Sequence, residues 1–410
     1  MEERNKPNYG MLAVLLVGAF IALLNNTLIN VALPSIMHHF EISESTVQWL
    51  QTGFMLVNGI VIPTTAFLIQ KYSVRHLFLG AMGLFACGTL IAGFAPYYWV
   101  LLAGRLTQAA GAAIMMPLLM NVMLVTFPPE RRGRAMGLFG LVMVFAPAVG
   151  PTLSGWIVQH YEWHVLFRLV APVAILIWVI AWFTLRDHKE KGDIRLDSLS
   201  VILSTLGFGG LLYSVGSAGN RGWADPLVDG VLVLSLLVLV LFIWRQFKLE
   251  RPMLNFRVFK YPMFSLSTAI VITMSLSMFS AMLLLPLYLQ NLRGFTPMES
   301  GLLLLPGALC MGIMSPLAGR WFDRYGARSI ALVGISILVI STYLYSHLSD
   351  STSYYWIMAI HAVRMLGISM VMMPVTTSGL NTLPPHDYPH GTAMNNTIQQ
   401  VAGAMGGSLM

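Results

Sequence analysis

Long apolar runs follow one another along the whole chain, each about the twenty residues that a membrane-crossing helix needs. They fall near 11–33, 47–70, 76–95, 98–126, 134–158 and 164–185. Six more follow near 198–218, 226–246, 262–290, 298–320, 328–347 and 353–382, and a thirteenth starts at about 391. Turn formers mark the joints: Pro34, Ala95-Pro96, Pro128-Pro129, Pro262 and Pro384-Pro385. The stretch R-D-H-K-E-K-G-D-I-R-L-D from Arg186 is too polar to cross and separates the first six runs from the rest. The first run is long enough to be a span rather than a cleavable signal.

A second pattern lies over the first. R-L-T-Q-A-A-G-A-A-I-M-M-P from Arg105 returns as R-M-L-G-I-S-M-V-M-M-P from Arg364, and P-P-E-R-R-G-R-A-M returns as P-P-H-D-Y-P-H-G-T-A-M. The offsets are nearly constant: 259 from Arg105 to Arg364, 256 from Pro128 to Pro384 and 258 from Gly133 to Gly391. Upstream, L-I-Q-K-Y-S-V-R ending at Arg75 precedes W-F-D-R-Y-G-A-R ending at Arg328 by 253. A repeat this long makes two halves of one molecule, and in a membrane protein that points to a transporter. The expected organisation is a six-span half over 1–190, an inserted two-span region over 191–260 and a second half over 261–410. The chain is expected to stop, at Met410, within its thirteenth span.

Composition agrees with the pattern. Hydrophobic residues make up 56% and charged residues only 10%, against about 25% charged in a soluble domain. A lipid-embedded helical bundle tolerates this, because each helix satisfies its own backbone. The two cysteines, Cys87 and Cys310, sit inside apolar runs and imply no disulfide framework. With the N-terminus inside, 19 of the 24 Lys and Arg fall in cytoplasmic segments and only Arg221 and Arg293 in outer loops. That asymmetry predicts a cytoplasmic-membrane protein with its N-terminus in the cytoplasm. The net charge of +7 then reflects this bias and anionic lipid rather than nucleic acid.

Several motifs resemble one known family. Leu24 to Pro34 reads L-N-N-T-L-I-N-V-A-L-P, the second span opens Q-W-L-Q-T-G-F-M-L, and the fourth carries Arg105, Gln108 and Gly111. The fifth span contains A-P-A-V-G-P-T-L-S-G, and G-R-W-F-D-R-Y-G-A-R joins spans ten and eleven. Together these resemble the major facilitator superfamily, and within it the 14-span drug:proton antiporters, with a looser likeness to the lincomycin-resistance branch. The resemblance covers the whole chain. It implies an all-α fold of two pseudo-symmetric six-helix halves with two extra central spans, exporting amphipathic or hydrophobic small molecules across the cytoplasmic membrane by alternating access, without a cofactor and with the proton as the coupling ion.

The residues add their own physics. Asn25, Asn26 and Thr27 stand near the bilayer midplane, where such transporters bind substrate, with Asn30 expected to tie helices together. Gln108, Met115 and Met116 are further substrate candidates, methionine suiting promiscuous apolar surfaces. Arg105 and Arg364 are charges within spans, which are costly and usually face a cavity or partner; structural pairing with carbonyls is the plainer reading of each. Ala146, Gly150 and Ser154 make a small-residue face in a span bent by Pro147 and Pro151. The face is read either as a seal between the halves, as the resemblance implies, or as simple packing. Asp323, with Arg324 and Arg328 near it, is expected to pair with arginines as a conformational latch or to serve only as a topology anchor. The first-half counterpart has Gln70, Lys71 and Ser73 where the family has Asp, Arg and Gly. Trp49, Trp99, Trp156, Trp163, Trp223 and Trp356 read as interfacial anchors.

None of the 17 acids falls at the midplane, and Asn25 stands where the family signature has Asp. That leaves Glu299, at an outer span end, and His361, one turn from Arg364, as the proton-carrier candidates. No phosphate-binding G-x-x-x-x-G-K-[ST] is present, and His38-His39 lacks the acid or Cys neighbours of a metal site. An importer for a nutrient and a non-transporting sensor remain the alternatives to an exporter.

Overall fold

The computed structural model describes residues 9–185, 197–349 and 351–408. The linker charges Arg186, Asp187, Lys189, Glu190, Lys191, Asp193 and Arg195 lie outside the described residues, as do Glu2, Glu3, Arg4, Lys6 and Asp350. The first half begins with α1 (Tyr9–Phe40) and α2 (Glu44–Lys71), the latter broken by a tight turn at Pro63. It continues with α3 (Val74–Gly93), α4 (Tyr98–Thr126), α5 (Arg132–His160) and α6 (His164–Thr184). Then come α7 (Ser198–Arg221), α8 (Pro226–Lys248) and α9 (Pro262–Leu287), which runs into a π turn over Tyr288–Leu292. A continuous helical stretch, Pro297–Tyr345, divides at Gly326 into α10 (297–325) and α11 (327–345). Last are α12 (Tyr354–Asn381) and α13 (Tyr388–Ser408).

Eleven of these stretches among the described residues are long and apolar enough to cross a membrane, counting 299–345 once. At 47 residues that stretch is too long for one crossing, since a helix rises about 1.5 Å per residue against a core of about 30 Å. Gly326 makes the reversal, because its φ of 78° is a region that other residues enter only with strain. The thirteenth run is not among the eleven. Its helix α13 carries Asn395, Asn396, Thr392 and Thr397, all buried, and a helix covered by its neighbours has no need of the apolar surface that lipid demands.

Other joints shift for local reasons. Pro34 does not end the first helix but lies inside it; the lost backbone bond to the Asn30 carbonyl is tolerated, and Asn30 itself is exposed rather than tying helices together. Of the six tryptophans expected as anchors, five are exposed, but Trp163 is buried, stacked on His164 with ring centroids 3.6 Å apart and flanked by Phe40 and Phe167.

Apolar exposure is concentrated where lipid would lie. On α8, Val233, Leu234, Leu237 and Val240 are all more than half exposed, and α6 and α11 show similar rows. Water would not tolerate a surface of this extent. The pair α7–α8 packs against α2 and α13. Asp197 caps α7 and grips Arg245 of α8 through two bonds of 2.7 and 2.9 Å. The Arg245 guanidinium holds its carboxyl down at about 2. A depressed carboxylate contributes above its unfolded pKa and is lost only as pH falls through the folded one, so this staple holds at all ordinary pH.

Candidate functional site

Inside the first half, polar side chains converge on Arg105, which is fully buried in α4. One guanidinium nitrogen donates to Asn25 Oδ1 at 3.0 Å and to Gln108 Oε1 at 2.6 Å. The other reaches Asn26 Oδ1 at 3.4 Å, and the charge lies 4.4 Å from the Phe54 ring centre. Gln108 passes the network on, donating to Thr89 of α3 at 2.7 Å. Four helices therefore meet at one cation, and among the described residues no carboxylate is its partner. Among the described residues Arg105 Nε has no partner, which leaves a donor spare for a ligand or water.

The remaining substrate candidates are less united. Thr27 turns its hydroxyl to the Leu24 carbonyl at 2.8 Å and packs on Gly150. Met115 is buried and Met116 half-buried in the same helix as Arg105.

The second half repeats the arrangement with different partners. Arg364 in α12 donates to the Ser277 hydroxyl and carbonyl of α9 at 2.7 and 3.1 Å. Just as Arg105 reaches the first helix of its half, Arg364 reaches the first helix of its own. His361 lies within 3.1 Å of the Tyr345 hydroxyl, whose ring also faces Arg364. A cavity of about 680 Å³ opens beside Arg364, with Ser277, Ser280, Thr342 and Tyr345 among its walls.

Glu299 is placed differently from a membrane proton carrier. It is exposed and closes a capping box with Thr296, whose backbone N–H and hydroxyl both donate to it at 2.8 and 2.9 Å.

The latch also differs from expectation. Asp323 accepts from the backbone N–H groups of Gly133 at 2.7 Å and Arg134 at 3.0 Å. These are the free donors at the start of α5 in the other half, where the helix dipole also favours an anion. Arg324 lies over the Tyr325 ring instead, and Arg328 is exposed. Gly133 and Gly319 cross in backbone contact, and Gly137 meets Ser315 and Pro316. The first turns of α5 thus carry one contact between the halves. Ala146, Gly150 and Ser154, higher in that helix, are buried and pack on α1 within the same half, Ser154 donating to the Leu28 carbonyl; Pro151 beside them is exposed. Asp323→Asn keeps one acceptor but sets an amide donor against an N–H. It is expected to slow substrate exchange about tenfold, the scale of one charge-assisted bond, with binding and membrane level unchanged. Unaltered counterflow rates in that variant would reduce the contact to a topology feature.

Sequence reasoning missed a second polar contact between halves at the same end. Arg132 of α5 donates to Asn381 Oδ1 at 2.8 Å and to the Tyr388 hydroxyl at 3.0 Å. Gln70 of α2 meets His390 of α13 at 2.9 Å. The P-P-E-R-R-G and P-P-H-D-Y-P-H-G repeat was the signal that could have located both residues.

A Major Facilitator Superfamily model matches residues 15–407. The chain is 49% identical over 410 residues to an uncharacterized MFS-type transporter, YhcA, of Bacillus subtilis (strain 168), covering all of this chain and 77% of that protein. It is 43% identical over 396 residues to lincomycin resistance protein LmrB of Listeria innocua serovar 6a, covering 97% of this chain and 84% of the relative. The fold is similar to the crystal structure of the human organic anion transporter MFSD10, with a TM-score of 0.70 at 16% identity over 98% of this chain and 93% of that one.

Proposed function

The chain belongs to the Major Facilitator Superfamily, and from that premise we propose that it exports amphipathic or hydrophobic small molecules by alternating access, driven by protons moving inward. The end of the bundle that carries the Asp323 contact faces the cytoplasm in this reading, with the N-terminus on the same side. The observation that carries the proposal is where the halves touch. Asp323 on the α5 amides, Gly133 against Gly319, and Arg132 on Asn381 and Tyr388 all close that one end. A carrier shut toward the cytoplasm stands, in an exporter's cycle, at the releasing step. Asn25 and Asn26, held by Arg105, and Met115 and Met116 on the same helix would offer the substrate a polar anchor and an adaptable apolar wall. The similarity to a lincomycin resistance protein supports efflux and suggests lincomycin as a first probe.

Everted membrane vesicles test the direction. With an acidic lumen imposed, vesicles carrying the chain should accumulate labelled lincomycin or a lipophilic dye, and an uncoupler should abolish the uptake. Movement in the opposite sense would point to an importer, and no movement of any probe to a sensor. Orientation has a separate check. Cysteines at Ser198 and at Asn220, in a chain lacking Cys87 and Cys310, should label only from the cytoplasm and only from outside, respectively. The reverse pattern overturns the assignment of ends.

A further inference from the structure

The two halves do not hold the shut end with equivalent side chains. In the repeat, Arg132 precedes Gly133 and His390 precedes Gly391, so the two residues are pseudo-symmetric twins at the starts of α5 and α13. Each is buried, and each crosses to the opposite half: Arg132 to Asn381 and Tyr388, His390 to Gln70. Arginine keeps its charge at every accessible pH, whereas histidine is the side chain that titrates near neutrality. We propose that His390 is the proton-responsive arm of a two-armed clamp, and that a proton added to its Nδ1 releases the end of the bundle that Arg132 and His390 hold closed.

The hydrogen bonds set the chemistry. The backbone N–H of Asn255, in the segment joining α8 to α9, donates to His390 Nδ1 at 3.2 Å. That nitrogen therefore carries a lone pair in the closed form, and the ring proton resides on Nε2. The atom 2.9 Å away is the Gln70 amide nitrogen, which also reaches the Ala66 carbonyl at 3.1 Å, so the cross-half bond forms with the Gln70 carboxamide turned to present its oxygen. An imidazolium has no lone pair left. Protonation sets N–H against N–H at Asn255, and the contact must part. Asn255 is a junction: its side-chain amide also donates to Asp387 Oδ1 at 3.1 Å. Loosening it frees the α8–α9 segment from the start of α13 and lets the ring that meets Gln70 shift.

Linkage gives the sign. Desolvation holds His390 down at about 4 in the closed form, against about 6.5 for an imidazole in water. The proton thus binds the opened form more tightly, by roughly two orders of magnitude. The closed form keeps its full advantage above about pH 6.5 and loses it as pH falls toward 4. The charged groups on packed elements are Asp387 and His386 on its own turn, Arg132 on α5, Lys71 on α2, and Glu250, Arg251, Arg257 and Lys260 on the α8–α9 segment. Asp387 favours the proton and His386 opposes it. In the export reading, on which only the assignment of this end to the cytoplasm rests, the protonated carrier opens inward. That is the order needed for a proton to be delivered inside before substrate is loaded.

The test needs no substrate. Spin labels on Glu130→Cys and Thr382→Cys, both exposed and on opposite halves, report the width of this end in the full chain with Cys87 and Cys310 replaced by serine. From pH 8 to pH 5 the separation should lengthen in the parent, and lengthen equally in His386→Gln. His390→Gln retains a donor and an acceptor without titrating and should stay short throughout; His390→Ala should be long at every pH. No pH response in the parent, the same response in His390→Gln, or loss of the response in His386→Gln would overturn the proposal. A clamp that behaves as stated in a protein that moves no probe would leave this inference standing and remove the export reading.

Discussion

Arg105→Leu is expected to cut transport by about two orders of magnitude, the loss that ~3 kcal/mol of charge-assisted bonding represents, while the protein still inserts and folds. Leucine fills much of the same space and removes a charge that costs roughly 2.5–3.5 kcal/mol at mid-membrane, so stability should hold or rise. What disappears is the common partner of Asn25, Asn26 and Gln108. Those amides then lose their fixed orientation toward any ligand. Arg105→Lys separates charge from geometry. A single ammonium cannot span Asn25, Gln108 and Asn26 as the planar fork does, so Lys should bind substrate weakly and recover only a minor share of the rate. Measured side by side in vesicles with equal protein levels, near-normal transport by either variant would assign Arg105 to packing alone.

The polar centre of the first half was legible because its signals are local. Arg105 and Gln108 are one helical turn apart, and the Asn25-Asn26-Thr27 run interrupts an apolar span, so both stand out in a linear reading. The contacts between halves were not legible in the same way. Asp323 has arginines beside it in sequence, yet it bonds to backbone N–H groups 190 and 189 positions away, and a backbone donor leaves no mark in sequence. His390 lies 320 positions from Gln70, and its meaning emerges only when the repeat is laid over the fold. α13, expected as a thirteenth span, falls short of the apolarity of the other spans for a related reason: burial among other helices replaces lipid as its surroundings, so polar residues are admitted where an outer span would exclude them. The small-residue face of α5 was read as a seal between the halves or as simple packing; it packs on α1 of its own half, a partner that residue spacing does not name.

Gly319→Ala is expected to act on the opposite side of the cycle, by preventing closure rather than by removing a ligand. A methyl at this position would meet the carbonyl of Gly133 and its carbon at 2.8 Å, with Gly137 Cα at 3.3 Å. All three are backbone atoms, which cannot turn aside as a side chain does. Forcing the helices apart costs roughly 1–3 kcal/mol, and the same displacement draws Asp323 away from the Gly133 and Arg134 amides. The closed form should fall about ten- to a hundredfold in population. Transport should drop by a similar factor, because each cycle must pass through that form. Substrate binding, measured in detergent, should be unchanged or stronger, since Asn25 and Arg105 lie on other helices. Gly301 supplies the control: it lies on α10 too, with open space around it, and alanine there should leave transport intact. Should Gly319→Ala transport at the parental rate, the α5–α10 crossing is not part of the moving gate. Should it lose binding and transport together while Gly301→Ala does not, the crossing supports the substrate site rather than the gate.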